Sequence, residues 1–455
     1  YAINCSATGS ISVDASGSYA GGVSGIGTVG WVTNLGNKEV KDESLLTTVN
    51  KLLTGLLSTP KEDPEYEDKQ AQAGMLLSLA GIAPSAILGC QMNCTSISVK
   101  AVGSYAGGIL GGGDGVYLAE SSKEYLDKLA YWKYNQNNKT KESEETEISE
   151  LSEIPEVTLQ ENVLTGLQTV TAGGSRVGGI AGSVTTANVT GLLNNTLGVG
   201  NFLGFTVRHV TVNGVDAGYT VEASGNYAGG ALGEAVGGDV DTATLKQVKS
   251  VTANNRVGGF VGCAGPGDLA GGGGLSLNLL GLNNLVKVSN LLSVAQGIRV
   301  KIRNAHVHGV ADGFSVTATG SNGSGETVDY TASGFIGKSN SCEIRESDVD
   351  NLKEVTANDK DGIAGGFVGS SQTGGLADVA GEADIKALLN VNGLLGAVKY
   401  LIPSYRVCKV FYVDGGGVSA DIAGGFAGEF QSGTVNNQPI TEGERGEEEI
   451  ASASE

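Results

Sequence analysis

Val257-Gly-Gly-Phe-Val-Gly262 is one copy of a pattern that recurs along the chain. The pattern is a small or apolar residue, two glycines, an apolar residue, a small residue and a third glycine. Ala364-Gly-Gly-Phe-Val-Gly369, Ala423-Gly-Gly-Phe-Ala-Gly428 and Val177-Gly-Gly-Ile-Ala-Gly182 repeat it, and Ala332-Ser-Gly-Phe-Ile-Gly337 keeps all but the first glycine. Tyr19-Ala-Gly-Gly-Val-Ser-Gly25, Tyr105-Ala-Gly-Gly-Ile-Leu-Gly111 and Tyr227-Ala-Gly-Gly-Ala-Leu-Gly233 place a tyrosine in front of it. The second glycines are Gly22, Gly108, Gly179, Gly230, Gly259, Gly334, Gly366 and Gly425. The shortest gaps between them are 29 and 32 residues, a period that signals a repeat architecture.

Upstream of each copy, apolar and polar residues alternate. Ile11, Val13 and Ala15 alternate with Ser12 and Asp14, and Ile97, Val99 and Ala101 with Ser98 and Lys100. Tyr219, Val221 and Ala223 follow the same rule, as do Phe314, Val316 and Ala318. Period two means a strand with one buried face. A second set reads Val170-Thr171-Ala172, Val251-Thr252-Ala253 and Val355-Thr356-Ala357. Arg208 to Gly225 also aligns without a gap on Arg303 to Gly320. Each unit is then a few short strands joined by tight turns, too small to bury its own apolar face, so units must stack. Glycine suits corners where φ is positive or where backbones crowd. The expectation is a mainly β protein: a parallel β-solenoid of about eight rungs over residues 1–436, followed by an acidic tail over 437–455.

The gaps carry leucine-rich segments at about 43–82, 190–203, 275–298 and 383–402. Leu45, Leu46, Val49, Leu52, Leu53 and Leu56 are spaced as on a helix. These segments are expected to be helices packed on the side of the solenoid, alternating with short connections after Gly230 and Gly334. A further insertion, 119–162, combines Tyr125, Leu126, Leu129, Tyr131 and Trp132 with an acidic run that includes Glu142, Glu144 and Glu145.

Composition narrows the function. The 455 residues include 73 glycines without a three-residue period, which excludes collagen. A hydrophobic fraction of 40% excludes a disordered chain. The formal net charge of −20 argues against nucleic-acid binding, which needs cations to neutralise phosphates. No apolar run reaches 18 residues, so no membrane insertion is expected. The chain opens on Tyr1 without a signal peptide and reads as a segment of a longer protein.

The chemistry-bearing residues are sparse. Cys90 and Cys94 form a C-x3-C pair without a second pair or a nearby histidine, so zinc is not expected; with Cys5, Cys263, Cys342 and Cys408 they read as small buried thiols, with disulfides left open. His306 and His308 are two apart on a strand and face one way, which could seed a metal site or a base. Their counterparts in the aligned repeat are Thr211 and Asn213, so a solvent-facing structural role is expected, and His209 completes the histidines. Gly111-Gly-Gly-Asp-Gly115 resembles a single calcium nonapeptide, a pattern that needs tandem copies. Asp14, Glu222, Asp216, Asp312 and Asp421 do not line up as the carboxylate pair of a glycoside hydrolase. Thr171, Thr252 and Thr356 could stack as a ladder. No catalytic, cofactor-binding or metal residues are assigned, and no cofactor is expected.

Gly258-Gly-Phe-Val-Gly262 and Gly365-Gly-Phe-Val-Gly369 resemble the Gly-Gly-Leu-Val-Gly core of GLUG-type repeats of bacterial surface proteins. The resemblance implies a secreted, extracellular, adhesin-like cell-surface protein of a Gram-positive bacterium. Its function would be adhesion or ligand display without catalysis, its partner a host or bacterial surface glycan or protein. The alternative is a carbohydrate-active β-helix enzyme, a polysaccharide lyase or hydrolase.

Overall fold

The computed structural model describes residues 2–28, 30–31, 82–83, 85–121, 160–186, 204–266, 299–320, 330–358, 360–373, 402–431 and 433–437. These residues are mainly strands, and the large sheets are parallel. A 16-stranded sheet and two 8-stranded sheets are each built from strands contributed by successive windings of the chain. The arrangement is compatible with a parallel β-solenoid, and each winding is called a rung below.

The fifth rung shows the plan. Gly238–Ala253 crosses the large sheet, Val257–Gly258 lies in the second, and Val261–Gly265 in the third. Eight rungs carry this three-sheet plan among the described residues, from Ser6–Ala15 with Ala20–Gly21 and Ser24–Gly27 to Lys409–Ser419 with Ile422–Gly424 and Ala427–Phe430. The double-glycine motif is the corner between the second and third sheets. Alternation upstream of it does what period two demands: Ile97, Val99 and Ala101 are buried, as are Tyr219, Val221, Ala223, Phe314, Val316 and Ala318.

Glycine is required at this corner by crowding. No second glycine of the motif has a positive φ. A Cβ on Gly230, Gly259 or Gly366 would instead lie far inside 3.0 Å of the carbonyl oxygen of Gly259, Gly334 or Gly425 in the following rung. The third glycines meet the preceding rung: a Cβ on Gly262 or Gly337 would be 2.6 Å from the carbonyl of Gly233 or Gly262. Two columns of glycine thus let backbones stack at about the 4.8 Å strand spacing.

The apolar residue after the pair points inward and stacks in register. Phe260, Phe335, Phe367 and Phe426 form parallel ring pairs with centroids 4.9, 4.5 and 5.1 Å apart. Fully burying each such ring contributes about 1.5–3 kcal/mol. Tyr219 runs beneath the corner, and its buried hydroxyl donates to the Gly230 carbonyl at 3.1 Å. A different corner, inside the large sheet, uses positive φ. His209, Thr242, Asn304, Glu346 and Val407 all have φ between 47° and 55° there.

The gap-free repeat is a two-rung relation. Arg208 pairs with Asp241 and Asp241 with Arg303, so the aligned segments lie in rungs four and six. The leucine-rich insertions expected at 190–203, 275–298 and 383–402, and the acidic tail past Asn437, lie outside the described residues. So does nearly all of 43–82, where Ile82–Ala83 pairs antiparallel with Gly30–Trp31 instead of being helical. The insertion expected over 119–162 needs correction at its ends. Tyr117–Ala119 and Asn162–Ala172 are strands of the large sheet: Leu118 and Leu164 continue the inward alternation, while Ala119 is buried in a separate small cluster with Ala86 and Leu88. The chain departs at Ser121 and returns at Gln160, where the Ser121 N–H donates to the Gln160 carbonyl at 2.8 Å. No helix among the described residues is long and apolar enough to cross a membrane.

Candidate functional site

Parallel, in-register stacking turns each outward position into a column whose neighbours are about 4.8 Å apart. Residues separated by tens of positions in sequence therefore become neighbours. The column just before the double-glycine corner reads Tyr19, Tyr105, Arg176, Tyr227 and Arg256. Tyr19 and Tyr105 stack with centroids 4.6 Å apart and rings 11° from parallel. Arg176 lies between Tyr105 and Tyr227, its Cζ 5.2 Å from each ring centroid. Arg256 follows at 5.1 Å from Tyr227 and donates from Nη1 to the Tyr227 hydroxyl at 2.6 Å. Such cation–π contacts each contribute about 0.5–1 kcal/mol at exposed sites.

Beside this column, on the third sheet, Ile26, Gly112, Ser183 and Glu234 occupy one register position in rungs one to four. Arg176 donates through Nε to Glu234 Oε2 at 2.5 Å and through Nη2 to Oε1 at 3.3 Å. The Ser183 hydroxyl donates to the same Oε2 at 2.9 Å. Two positions on, the Thr185 hydroxyl donates to Asp114 Oδ1 at 2.5 Å. Gly112 leaves space for the tyrosines: a Cβ there would be 3.2 Å from the Tyr19 ring and 3.3 Å from the Tyr105 ring. The result is a shallow groove of about 120 Å3, walled by Tyr19 and Tyr105, floored by Gly112 and Gly113, and edged by Asp114 and Thr185. Burial first, then Tyr105 and the Asp114 carboxylate, push the Tyr19 phenol above its ordinary value, while Arg176 opposes them. The signal was in the sequence: tyrosine precedes Ala-Gly-Gly three times, and arginine precedes Val-Gly-Gly at Arg176 and Arg256.

The histidines belong to another face. His306 and His308 share a strand with rings 6.3 Å apart, and each pairs with an aspartate of the next rung. His306 Nδ1 is 3.0 Å from Asp348 and His308 Nδ1 is 3.6 Å from Asp350. The hydrogen bond with Asp348 raises the His306 pKa, against partial burial. The preceding rung presents Thr244 and Lys246 at these positions, and the rung before that Thr211 and Asn213. His209 lies 3.6 Å from Glu161 at the left-handed corner. Among the described residues no group of three or more His, Cys, Asp or Glu is arranged to hold a metal ion.

The six cysteines are free thiols. Cys90, Cys94 and Cys342 are buried and Cys5 is exposed. Burial pushes Cys90 up to about 11, and Cys342 and Cys408 to about 12, so these thiols stay protonated at neutral pH. The expected threonine ladder forms in part: Thr252, Thr317 and Thr356 are consecutive in register, and Thr171 is separated from them by Glu222. Asp14 and Glu222 fall in that same column but three rungs apart. Leu110–Asp114 is a strand, so Gly111–Gly115 does not form a calcium loop.

One polar residue hidden from sequence reasoning holds the corner where the chain leaves the third rung. Asn162 is fully buried in an inward column otherwise filled by Val210, Ala243 and Ala305. Its Nδ2 donates to the carbonyls of Ile87 (3.0 Å) and Ala119 (2.8 Å), and its Oδ1 accepts from the Cys90 N–H at 2.8 Å. The side chain replaces backbone partners that an uninterrupted rung would supply.

No protein-family model, curated protein or solved structure matches this chain.

Proposed function

We propose that the protein is a non-catalytic display scaffold of the extracellular surface, a rod whose stacked rungs hold inserted segments in a row for adhesion. One observation carries this reading. The chain passes from the third sheet to the next rung at a single corner, and every second passage there is long. It departs after Thr186 and returns at Gly204, departs after Pro266 and returns at Arg299, and departs after Thr373 and returns at Ile402. The first long passage runs from Gly30–Trp31 to Ile82–Ala83 at the same corner. Between them the crossings are short, as at Gly115–Val116, Gly237 and Ser341–Cys342. Long passages on alternate rungs set the inserted segments about 10 Å apart along one edge. Leucine-rich helices packed along that edge belong to this reading, as does the single-domain organisation.

The test shortens one passage. Deleting 187–203 would join Thr186 to Gly204 in the manner of the short crossing at Gly237. The expected result is an unchanged thermal midpoint together with reduced attachment to immobilised surface glycans and matrix proteins. Unchanged attachment after each of the four passages is shortened, or release of reducing sugar from polysaccharide by the intact chain, would refute display as the function.

A further inference from the structure

We infer that the groove between Tyr19, Tyr105 and Asp114 is a binding subsite for a neutral polysaccharide. The inference rests on the reading of the protein as a surface adhesin and adds a ligand class on the rungs themselves, distinct from the inserted segments.

The chemistry of the walls makes the choice. A sugar ring has apolar C–H faces and a rim of hydroxyls, so it needs an apolar wall on one side and hydrogen-bonding groups on the other. The stacked tyrosines turn their ring edges toward the glycine floor, Tyr19 Cε1 and Tyr105 Cδ1 lying nearest Gly112, and so supply a rigid, amphipathic wall of aromatic C–H groups with Tyr19 39% exposed. Across the glycine floor, Thr28, Asp114, Ser183 and Thr185 line the same space, the Ser183 and Thr185 hydroxyls donating to Glu234 and Asp114. Asp114 uses Oδ1 for Thr185, and a carboxylate retains further lone pairs to accept from a ligand hydroxyl. The tyrosine wall is held by its neighbours: Arg176 packs on the far face of Tyr105 and is fixed in turn by both oxygens of Glu234. The wall is preorganised, so a ligand need not order it.

Charge selects among glycans. Asp114 and Glu234 line the groove in a chain of net charge −20, which disfavours uronates and sulfated sugars. At about 120 Å3 the groove is smaller than a drug-sized pocket and open at the surface, so it grips a short stretch of a long chain and binds weakly at one site. Useful adhesion would come from many copies acting together on one polymer.

Native gel electrophoresis of the full chain in gels cast with xyloglucan, galactomannan, mixed-linkage β-glucan or polygalacturonate tests the assignment. The expected result is retardation by at least one neutral polymer and none by polygalacturonate. Tyr19→Ala and Asp114→Asn should each weaken that retardation at least fivefold, with thermal midpoints unchanged, and Arg303→Ala, on the large sheet and outside the groove, should leave it intact. Absence of retardation in all neutral gels, equal retardation of Tyr19→Ala and the parent chain, or stronger retardation in polygalacturonate would each overturn it. Shortening the 187–203 passage separates the two readings: attachment lost there but retained in Tyr19→Ala refutes the groove and leaves display standing.

Discussion

Adding a single methyl group at a rung corner should be severe in the middle of the stack and harmless at the last corner. Gly259→Ala places a Cβ far inside contact distance of the Gly334 carbonyl in the following rung. A backbone oxygen cannot swing away as a flexible side chain would, so rungs five and six must separate locally. Three hydrogen bonds cross that corner: Gly259 N–H to Ser333, and Phe260 and Val261 N–H to Phe335, at 2.8–2.9 Å. The Phe260–Phe335 ring pair lies against them. Each hydrogen bond is worth about 1 kcal/mol and the ring pair about 1 kcal/mol more, so Gly259→Ala should cost roughly 4 kcal/mol. Gly425 occupies the same position of the motif in the eighth rung, and a Cβ there meets nothing within 4 Å. Gly425→Ala should therefore be neutral, or stabilising by about 0.5 kcal/mol through the unfolded chain. Urea denaturation followed by far-ultraviolet circular dichroism measures both. Equal stabilities for the two variants would refute the account of the glycine columns as close-approach sites.

Asn162→Ala should cost about 2 kcal/mol or more, since it strands the buried Cys90 N–H and takes a donor from the Ile87 and Ala119 carbonyls, the latter keeping the Gly89 N–H; a loss under about 1 kcal/mol in the same urea assay would mean the Cys90 N–H finds another partner. The His306–Asp348 pair raises the histidine pKa above 6.5, so its stabilisation is fully present below that value and is lost as pH rises through the raised one. Stability should fall by less than about 1 kcal/mol across that window, because both side chains are partly exposed, and His306→Asn should flatten the profile. His308, Lys409 and Thr244 flank the pair, and a profile that stays unchanged in His306→Asn would assign the slope to other groups. Ellman's reagent should titrate Cys5 rapidly in the native protein and Cys90, Cys94 and Cys342 only on unfolding; rapid reaction of Cys90 or Cys342 would contradict their burial.

The repeat was legible because its cause is local. Gly-Gly-Phe marks a corner wherever it occurs, and alternation at Ile97, Val99 and Ala101 names a buried face without reference to any partner. What glycine does at the corner was only half legible: composition allowed positive φ or crowding, and only the stacked carbonyls decide for crowding. The left-handed corner was invisible as a column, since Thr242, Glu346 and Val407 are not residues that advertise positive φ, and only His209 and Asn304 fit the usual preference. There the surrounding rungs over-determine the backbone. Asn162 was hidden for a related reason, because its partners Ile87 and Ala119 are distant in sequence and meet only after stacking. The Tyr19–Arg256 column was written in plain view, but gaps of 86, 71, 51 and 29 residues conceal that its members touch.

The corner that alternates between brief and extended crossings works as a port. Closing a flexible loop costs free energy only logarithmically in its length, so a flexible graft of about 50 residues would cost about 1 kcal/mol more than one of about 17. Cargo of almost any size can be exchanged at such ports while the hydrogen bonds on either side keep their register, which makes the molecule a natural chassis for grafted recognition segments.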